Sequence, residues 1–352
     1  MNPHSRQVHT HTHTHTHTHL LQVCVSSVAL ILSSAFCFAV QCPNNGSVML
    51  GNEETLDPAY QPYGNLLHRY RFVPPAPFSA PYPTVLMLPP DVFKLEYGDN
   101  GTPTERQASY DLQQAGFLVF QVDHRLAPPG GLEGQYLWIG DMGRFPEQTD
   151  DLKRQILAAL ADPECNGSIY LVGGSAGGTL ALWVMLDPTA GAVTGWDNNA
   201  RLHIEAVVSL SGPTNFCDLE NLGHIPDEAI DRFRDTLDNY VGLPDGTACA
   251  NDPDQLLSHA SPISLVATAT SCPPVRLYST DGDTVPYKQG FDMHGALKTQ
   301  FPALDAVWYK MSYLYDDRNN HAYNYWHSRN DDPIGGNECV SQQVIEFLQT
   351  YP

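Results

Sequence analysis

The chain has 352 residues, 42% of them hydrophobic, which is enough for a large core and one or two domains. Lys and Arg total 18 against 39 Asp and Glu, a formal net charge of −21 at pH 7. That balance excludes the basic surfaces that track nucleic acid or anionic membrane, and it suits a soluble protein with a small-molecule partner.

Residues 1–39 read as a leader. Leu20 to Ala39 is apolar with small residues, Arg6 lies ahead of it, and Cys37-Phe38-Ala39 offers small residues for cleavage. The alternative is a single membrane anchor, for which such a run is long enough. Alternating His and Thr from His9 to His19 could bind metal when extended, but it reads as low complexity that leaves with the leader. Only Arg6 is charged before position 40, so the remainder carries 17 basic and 39 acidic residues, a charge of −22. Residues 40–352 then form one catalytic domain, exported from the cytoplasm. Six cysteines remain there: Cys42, Cys165, Cys217, Cys249, Cys272 and Cys339. An even number behind a leader predicts disulfides, with fifteen possible pairings. Cys217 and Cys249 bracket the central irregular segment and are the expected staple. No C-x-x-C spacing argues for zinc, and no cofactor or metal is called for.

Taken in order, Leu66 to Val73 predicts an early strand and Pro83 to Leu88 a buried one, stopped by Pro89-Pro90. Pro103 to Gln114 predicts a helix with Pro in its first turn. Gly116 to Asp123 predicts a strand, and Pro146 to Ala161 a helix with Leu152, Ile156, Leu157 and Leu160 on one face. Strands follow from Ser168, at Ile204 to Leu210, at Val275 to Ser279 and at Ala306 to Met311. Helices are expected at Tyr287 to Gln300 and Cys339 to Gln349. Strands alternating with helices imply an α/β fold whose mostly parallel sheet is covered on both faces. Residues 214–270 break the alternation and read as a small helical cap. The helix expected at Asp227 to Val241 has Ile230, Phe233, Leu237 and Val241 on one stripe, read as cap core rather than substrate pocket.

The chemistry centres on Gly173-Gly174-Ser175-Ala176-Gly177, a Gly-x-Ser-x-Gly sequence between the strand from Ser168 and the helix-forming run Thr179 to Leu186. A strand that turns into a helix within about two residues crowds the backbone at the serine. Glycines two positions either side relieve that crowding, and the serine is held at strained φ/ψ with its Oγ presented at the sheet edge. A serine nucleophile needs a base and a group that orients the base. After the strand ending at Ser279 lies Asp281-Gly282-Asp283-Thr284-Val285-Pro286. Asp283 is the favoured acid, with Asp281 its rival. After the last strand lies Asn320-His321-Ala322-Tyr323. His321 is the favoured base, with His327 its rival.

In these segments the chain resembles the serine hydrolases of the α/β-hydrolase superfamily, in the esterase/lipase branch that borders the prolyl-oligopeptidase-like peptidases. Gly173–Gly177 is similar to that fold's nucleophile elbow. Asp123-His124-Arg125-Leu126-Ala127-Pro128 is similar to the Asp-Tyr-Arg-Leu-Ala-Pro segment after the branch's fourth strand. Phe145-Pro146 with Asp151, Ala260-Ser261-Pro262-Ile263, and His321-Ala322 with Tyr325-Trp326 follow in the branch's order. The resemblance runs from about 66 to 350 and implies an α/β-hydrolase fold acting on small ester substrates through an acyl-enzyme, without a cofactor. One departure stands out. Where the branch carries His-Gly-Gly, this chain reads Leu88-Pro89-Pro90-Asp91-Val92. Proline has no N–H to donate, so the oxyanion donors are expected to be Ala176 N–H and one from Asp91, Val92 or Tyr97. The competing readings are a peptidase with the same three residues and a non-catalytic binding module on the same fold.

Overall fold

Among the described residues, eight strands form one sheet in the order β1-β2-β4-β3-β5-β6-β7-β8. They are β1 (Asn52–Thr55), β2 (His68–Phe72), β3 (Tyr82–Leu88), β4 (Leu118–Val122), β5 (Cys165–Gly174), β6 (Ile204–Leu210), β7 (Val275–Thr280) and β8 (Ala306–Met311). The structure is a computed structural model that describes residues 52–55, 68–90, 93, 103–127, 143–189, 191–219, 227–312 and 321–351. All of them belong to one unit spanning Cys42–Pro352. The leader expected over residues 1–39 lies outside the described residues. Among those described, no helix is long and apolar enough to cross a membrane.

The β1/β2 and β2/β4 pairs are antiparallel, and every pair from β4 through β8 is parallel. The alternation of strand side chains explains the layering. Leu86, Leu88, Leu118, Phe120, Ile169 and Leu171 point to one face, where they pack with α2 (Glu147–Leu160), α3 (Ala176–Leu186) and α8 (Lys288–Gln300). Val85, Met87, Val119, Tyr170 and Val172 point to the other, against α1 (Pro103–Gln114) and α9 (Val340–Thr350). Both faces are therefore dry, which is why the central strands read as continuous apolar runs.

Three short helices, α4 (Asn198–Arg201), α6 (Leu256–Ala260) and α7 (Pro262–Val266), and one long one, α5 (Asp227–Val241), are the remaining α-helices among the described residues. The expected stripe on α5 is buried at Ile230, Leu237 and Val241, and these residues join the core on the α3 face. Cys217 and Cys249 are disulfide-bonded with Cα atoms 5.4 Å apart, as their bracketing of the segment predicts. Gln289 of α8 fastens the start of the same segment. Its side chain accepts from the Thr214 and Asn215 amides at 2.8 and 2.7 Å and donates to the Asn215 and Asp218 carbonyls at 3.2 and 2.6 Å. Cys339 is also disulfide-bonded, whereas Cys165 and Cys272 are free thiols. Burial pushes the Cys272 thiol up to about 12, so it is an inert packing residue at neutral pH.

Candidate active site

Ser175 sits between β5 and α3 with φ 48° and ψ −117°, a left-handed conformation that a non-glycine residue holds only under constraint. The constraint is visible on each side. A Cβ on Gly173 would lie 2.3 Å from the Gly177 carbonyl, directly across the turn. A Cβ on Gly177 would lie 2.6 Å from Leu88 Cβ, so this second glycine lets α3 approach the end of β3 instead of relieving the turn itself. The Ser175 amide donates to the Leu210 carbonyl of β6 at 2.8 Å, and the Gly177 amide to the Pro89 carbonyl at 3.1 Å. No described residue accepts from the Ala176 amide, the first N–H of α3. A helix N-terminus with such a free donor favours negative charge beside Ser175.

The loop after β7 brings Asp283 to His321. The carboxylate is buried, and its Oδ1 lies 2.6 Å from His321 Nδ1 while accepting from the Val285 amide at 2.9 Å. Burial alone lowers the pKa of His321. The charge and hydrogen bond of Asp283 outweigh it and hold the imidazole above its ordinary 6.5. This contact assigns the ring's proton to Nδ1 and leaves Nε2 as the basic nitrogen. The His321 loop lies against the elbow, since a Cβ on Gly174 would meet Ala322 Cβ at 3.0 Å and the Tyr323 ring at 2.8 Å.

The rivals are engaged elsewhere. Asp281 pairs with Lys310 Nζ at 2.8 Å, partly exposed. His327 Nε2 lies 2.7 Å from Asp111 of α1, which also accepts from Trp326 Nε1 at 2.9 Å. Of the expected oxyanion donors, Ala176 is as described above, while Asp91, Val92 and Tyr97 lie outside the described residues. Their neighbour Phe93 is buried at φ 62°, and its carbonyl accepts from the Ala127 amide at 2.6 Å and Gln148 Nε2 at 3.1 Å. Its ring stacks on Tyr240 of α5 at 4.0 Å, which anchors Phe93 against that helix. Arg125, in the Asp-His-Arg segment, grips Asp151 through Nε and Nη2, both at 2.9 Å, and through its own amide at 2.9 Å. That motif is structural, a bidentate pair joining β4 to α2.

The contacts of the two tyrosines behind the histidine, Tyr323 and Tyr325, do not follow from the sequence. Tyr323 Oη lies 2.7 Å from the Val172 carbonyl and 3.0 Å from the Leu88 carbonyl, clamping the ends of β5 and β3. Both Tyr323 and Tyr325 are deeply buried, and burial holds their hydroxyls well above 10, so they act only as neutral hydrogen-bonding groups. The Tyr325-Trp326 pair that follows His321 is the signal the sequence carries for them. Among the described residues no group of three or more His, Cys, Asp or Glu side chains could hold a metal ion.

The mostly parallel sheet, the strained serine at its strand-to-helix turn and the acid and histidine beyond later strands define an α/β-hydrolase. Comparison with solved structures agrees on the fold. A truncated carbohydrate esterase from gut microbiota aligns over 88% of this chain and 98% of its own, with TM-score 0.58 and 17% identity. The acetyl ester-xyloside bifunctional hydrolase of Caldicellulosiruptor lactoaceticus aligns over 87% and 98%, with TM-score 0.58 and 16% identity. A bifunctional GH43-CE protein of Bacteroides eggerthii aligns over 82% of this chain, TM-score 0.55 and 20% identity, but this chain spans only 36% of it. No curated protein sequence matches. The BD-FAE family model matches residues 74–297, more than half of the chain, and the chain belongs to that family of esterase-like α/β-hydrolases. It is accordingly a carboxylic ester hydrolase.

Proposed function

We propose that the protein is an exported serine esterase that works through an acyl-enzyme, with Ser175 as nucleophile, His321 as base and Asp283 as the group that orients it. The observation that carries this reading is the 2.6 Å contact between His321 Nδ1 and the buried Asp283, on a loop packed against the strained serine turn. Ser175 Oγ attacks the ester carbonyl while His321 Nε2 takes its proton. The ester C–O bond then breaks, and the proton passes from Nε2 to the leaving alkoxide. Water, deprotonated by the same nitrogen, releases the acid and restores Ser175. The Ala176 amide, with a second donor from Asp91, Val92 or Tyr97, holds the oxyanion. Each such donor contributes roughly 3–4 kcal/mol. The disulfides support export, because they persist in oxidising compartments.

Neighbours that share the fold at nearly full length carry carbohydrate esterase and acetyl ester activities in their names, so acylated sugars are the first substrates to assay. The test compares turnover of acetylated sugars and of matched ester and peptide derivatives of one acyl group. The reading predicts release of acid from the esters with the peptide at least about a thousandfold slower. Comparable rates on the peptide would make the protein a peptidase.

A further inference from the structure

Beyond the three residues above, the end of β6 touches the segments that carry all three of them: the serine turn after β5, the strand β7 and the His321 loop. Leu210 accepts the Ser175 amide at 2.8 Å. The next residue, Ser211, is buried and donates its own amide to the Tyr278 carbonyl of β7, the strand leading to Asp283, at 2.9 Å. Its Oγ accepts from the Ala322 amide at 3.2 Å and lies 2.9 Å from the Tyr325 hydroxyl. Ser211 has φ 59° and Ala322 φ 51°, two non-glycine residues in left-handed backbone that meet through one hydrogen bond. Such conformations persist where the surroundings over-determine them, and they concentrate at functional sites.

We propose that Ser211 is the positioning residue for His321, holding its backbone through the Ala322 amide while Asp283 holds its side chain. The proposal rests on the assignment of His321 as base. Ala322 opens a short 3-10 turn, Ala322–Tyr325, and its amide is among the groups such a turn leaves without an internal partner. Ser211 Oγ supplies the acceptor. It thereby fixes the peptide between His321 and Ala322, and with it the direction in which the His321 ring leaves the chain. The Asp283 contact alone is a single bond to Nδ1, about which the ring can pivot and swing Nε2 away from Ser175. Two anchors, one on the side chain and one on the backbone, remove that freedom. A displacement of about 1 Å at a reacting atom costs on the order of a hundredfold in rate.

The experiment uses the full chain and p-nitrophenyl acetate, with kcat and KM measured from pH 5 to 9 for wild type, Ser211→Ala, Ser211→Gly, Tyr325→Phe and Ser175→Ala. Glycine suits φ 59° and removes the same hydroxyl, so it guards against a misfolded alanine variant. Both Ser211 variants are expected to lose about 10- to 100-fold in kcat with KM within about threefold. Their acid limb should move to lower pH as the His321–Asp283 contact loosens. Tyr325→Phe leaves the Ser211–Ala322 bond in place and should stay within about threefold of wild type. Folded Ser211 variants that keep kcat within about twofold and the wild-type acid limb overturn the proposal, as does a Tyr325→Phe loss equal to that of Ser211→Ala. If Ser175→Ala is inactive in those cases, the esterase reading survives them. If Ser175→Ala keeps its turnover, that reading falls and the role of Ser211 falls with it.

Discussion

Replacing Asp283 by Asn removes one charge and little else. The amide carbonyl can still accept from His321 Nδ1–H and the Val285 amide, the two bonds that Oδ1 makes at 2.6 and 2.9 Å. What disappears is the attraction between the carboxylate and the imidazolium that forms as Ser175 attacks. For charge centres about 4 Å apart at an effective dielectric constant near 20, that attraction is about 4 kcal/mol. Each 1.36 kcal/mol is a factor of ten in rate, so kcat should fall about a thousandfold. The same loss predicts a shift in pH dependence. Asp283 holds His321 above 6.5 against the downward pull of burial. Catalysis needs the neutral ring, so the wild-type acid limb of kcat/KM should lie above 6.5, and Asp283→Asn should move it to lower pH. Asp281→Asn breaks only a partly exposed pair with Lys310, worth at most about 1 kcal/mol, and should leave both quantities nearly unchanged. The assay is p-nitrophenyl acetate hydrolysis across pH 5–9 for both variants. A larger kcat loss at Asp281, or an Asp283→Asn acid limb that stays put or rises, removes Asp283 from the role of orienting group.

Other outcomes follow from the same contacts. Replacing both Cys217 and Cys249 by Ala frees a loop with a sequence separation of 32 residues, which costs about 3–4 kcal/mol in the chain-entropy model. A melting temperature lowered by less than about 2 °C would contradict that. Arg125→Ala strands the buried Asp151 with Arg154 as its remaining cation at 2.9 Å, and should destabilise by about 2–4 kcal/mol in denaturant titration. Desolvation raises buried Asp238, at the end of α5, to about 6, although it accepts from the Thr247 amide at 2.8 Å. A carboxyl raised in the folded state costs stability as pH climbs through its unfolded and then its folded pKa, from about 4 to 6. Asp238→Asn should therefore raise the melting temperature at pH 8 and leave it unchanged at pH 4; a gain at pH 4 alone reverses the sign. Tyr323→Phe unties the ends of β3 and β5 and should cost about 1–3 kcal/mol, read by thermal unfolding.

Much of the fold was legible because both sheet faces are buried. Continuous apolar runs such as Val85 to Leu88, of strand length and stopped by prolines, fit covered strands, and the helices α1, α5 and the strands β6 and β8 fall where the sequence pattern puts them. The strand β1, Asn-Glu-Glu-Thr, has no apolar alternation because it pairs at the polar edge of the sheet, and nothing local announces it. The short helices α4, α6 and α7 are too brief for a period to emerge. The apolar stripe expected on α5 is buried and continuous with the α3 face, since a stripe of apolar residues says that a face is buried but not against what. At the site, Gly-x-Ser-x-Gly announces its own strain, because crowding at a tight turn is a local property. The partner of Gly177 is Leu88, nearly ninety positions away in sequence, and was not legible. The same holds for Ser211 and Ala322, whose bond spans 111 positions. Their significance comes from the sheet order that puts β6 between β5 and β7.

The most direct measurement is labelling with a fluorophosphonate probe, followed by mapping of the modified residue. One adduct is expected, on Ser175 Oγ, forming with loss of ester hydrolysis and absent from Ser175→Ala. An adduct on another residue, or full ester turnover in the Ser175→Ala protein, would contradict the assignment of Ser175 as nucleophile.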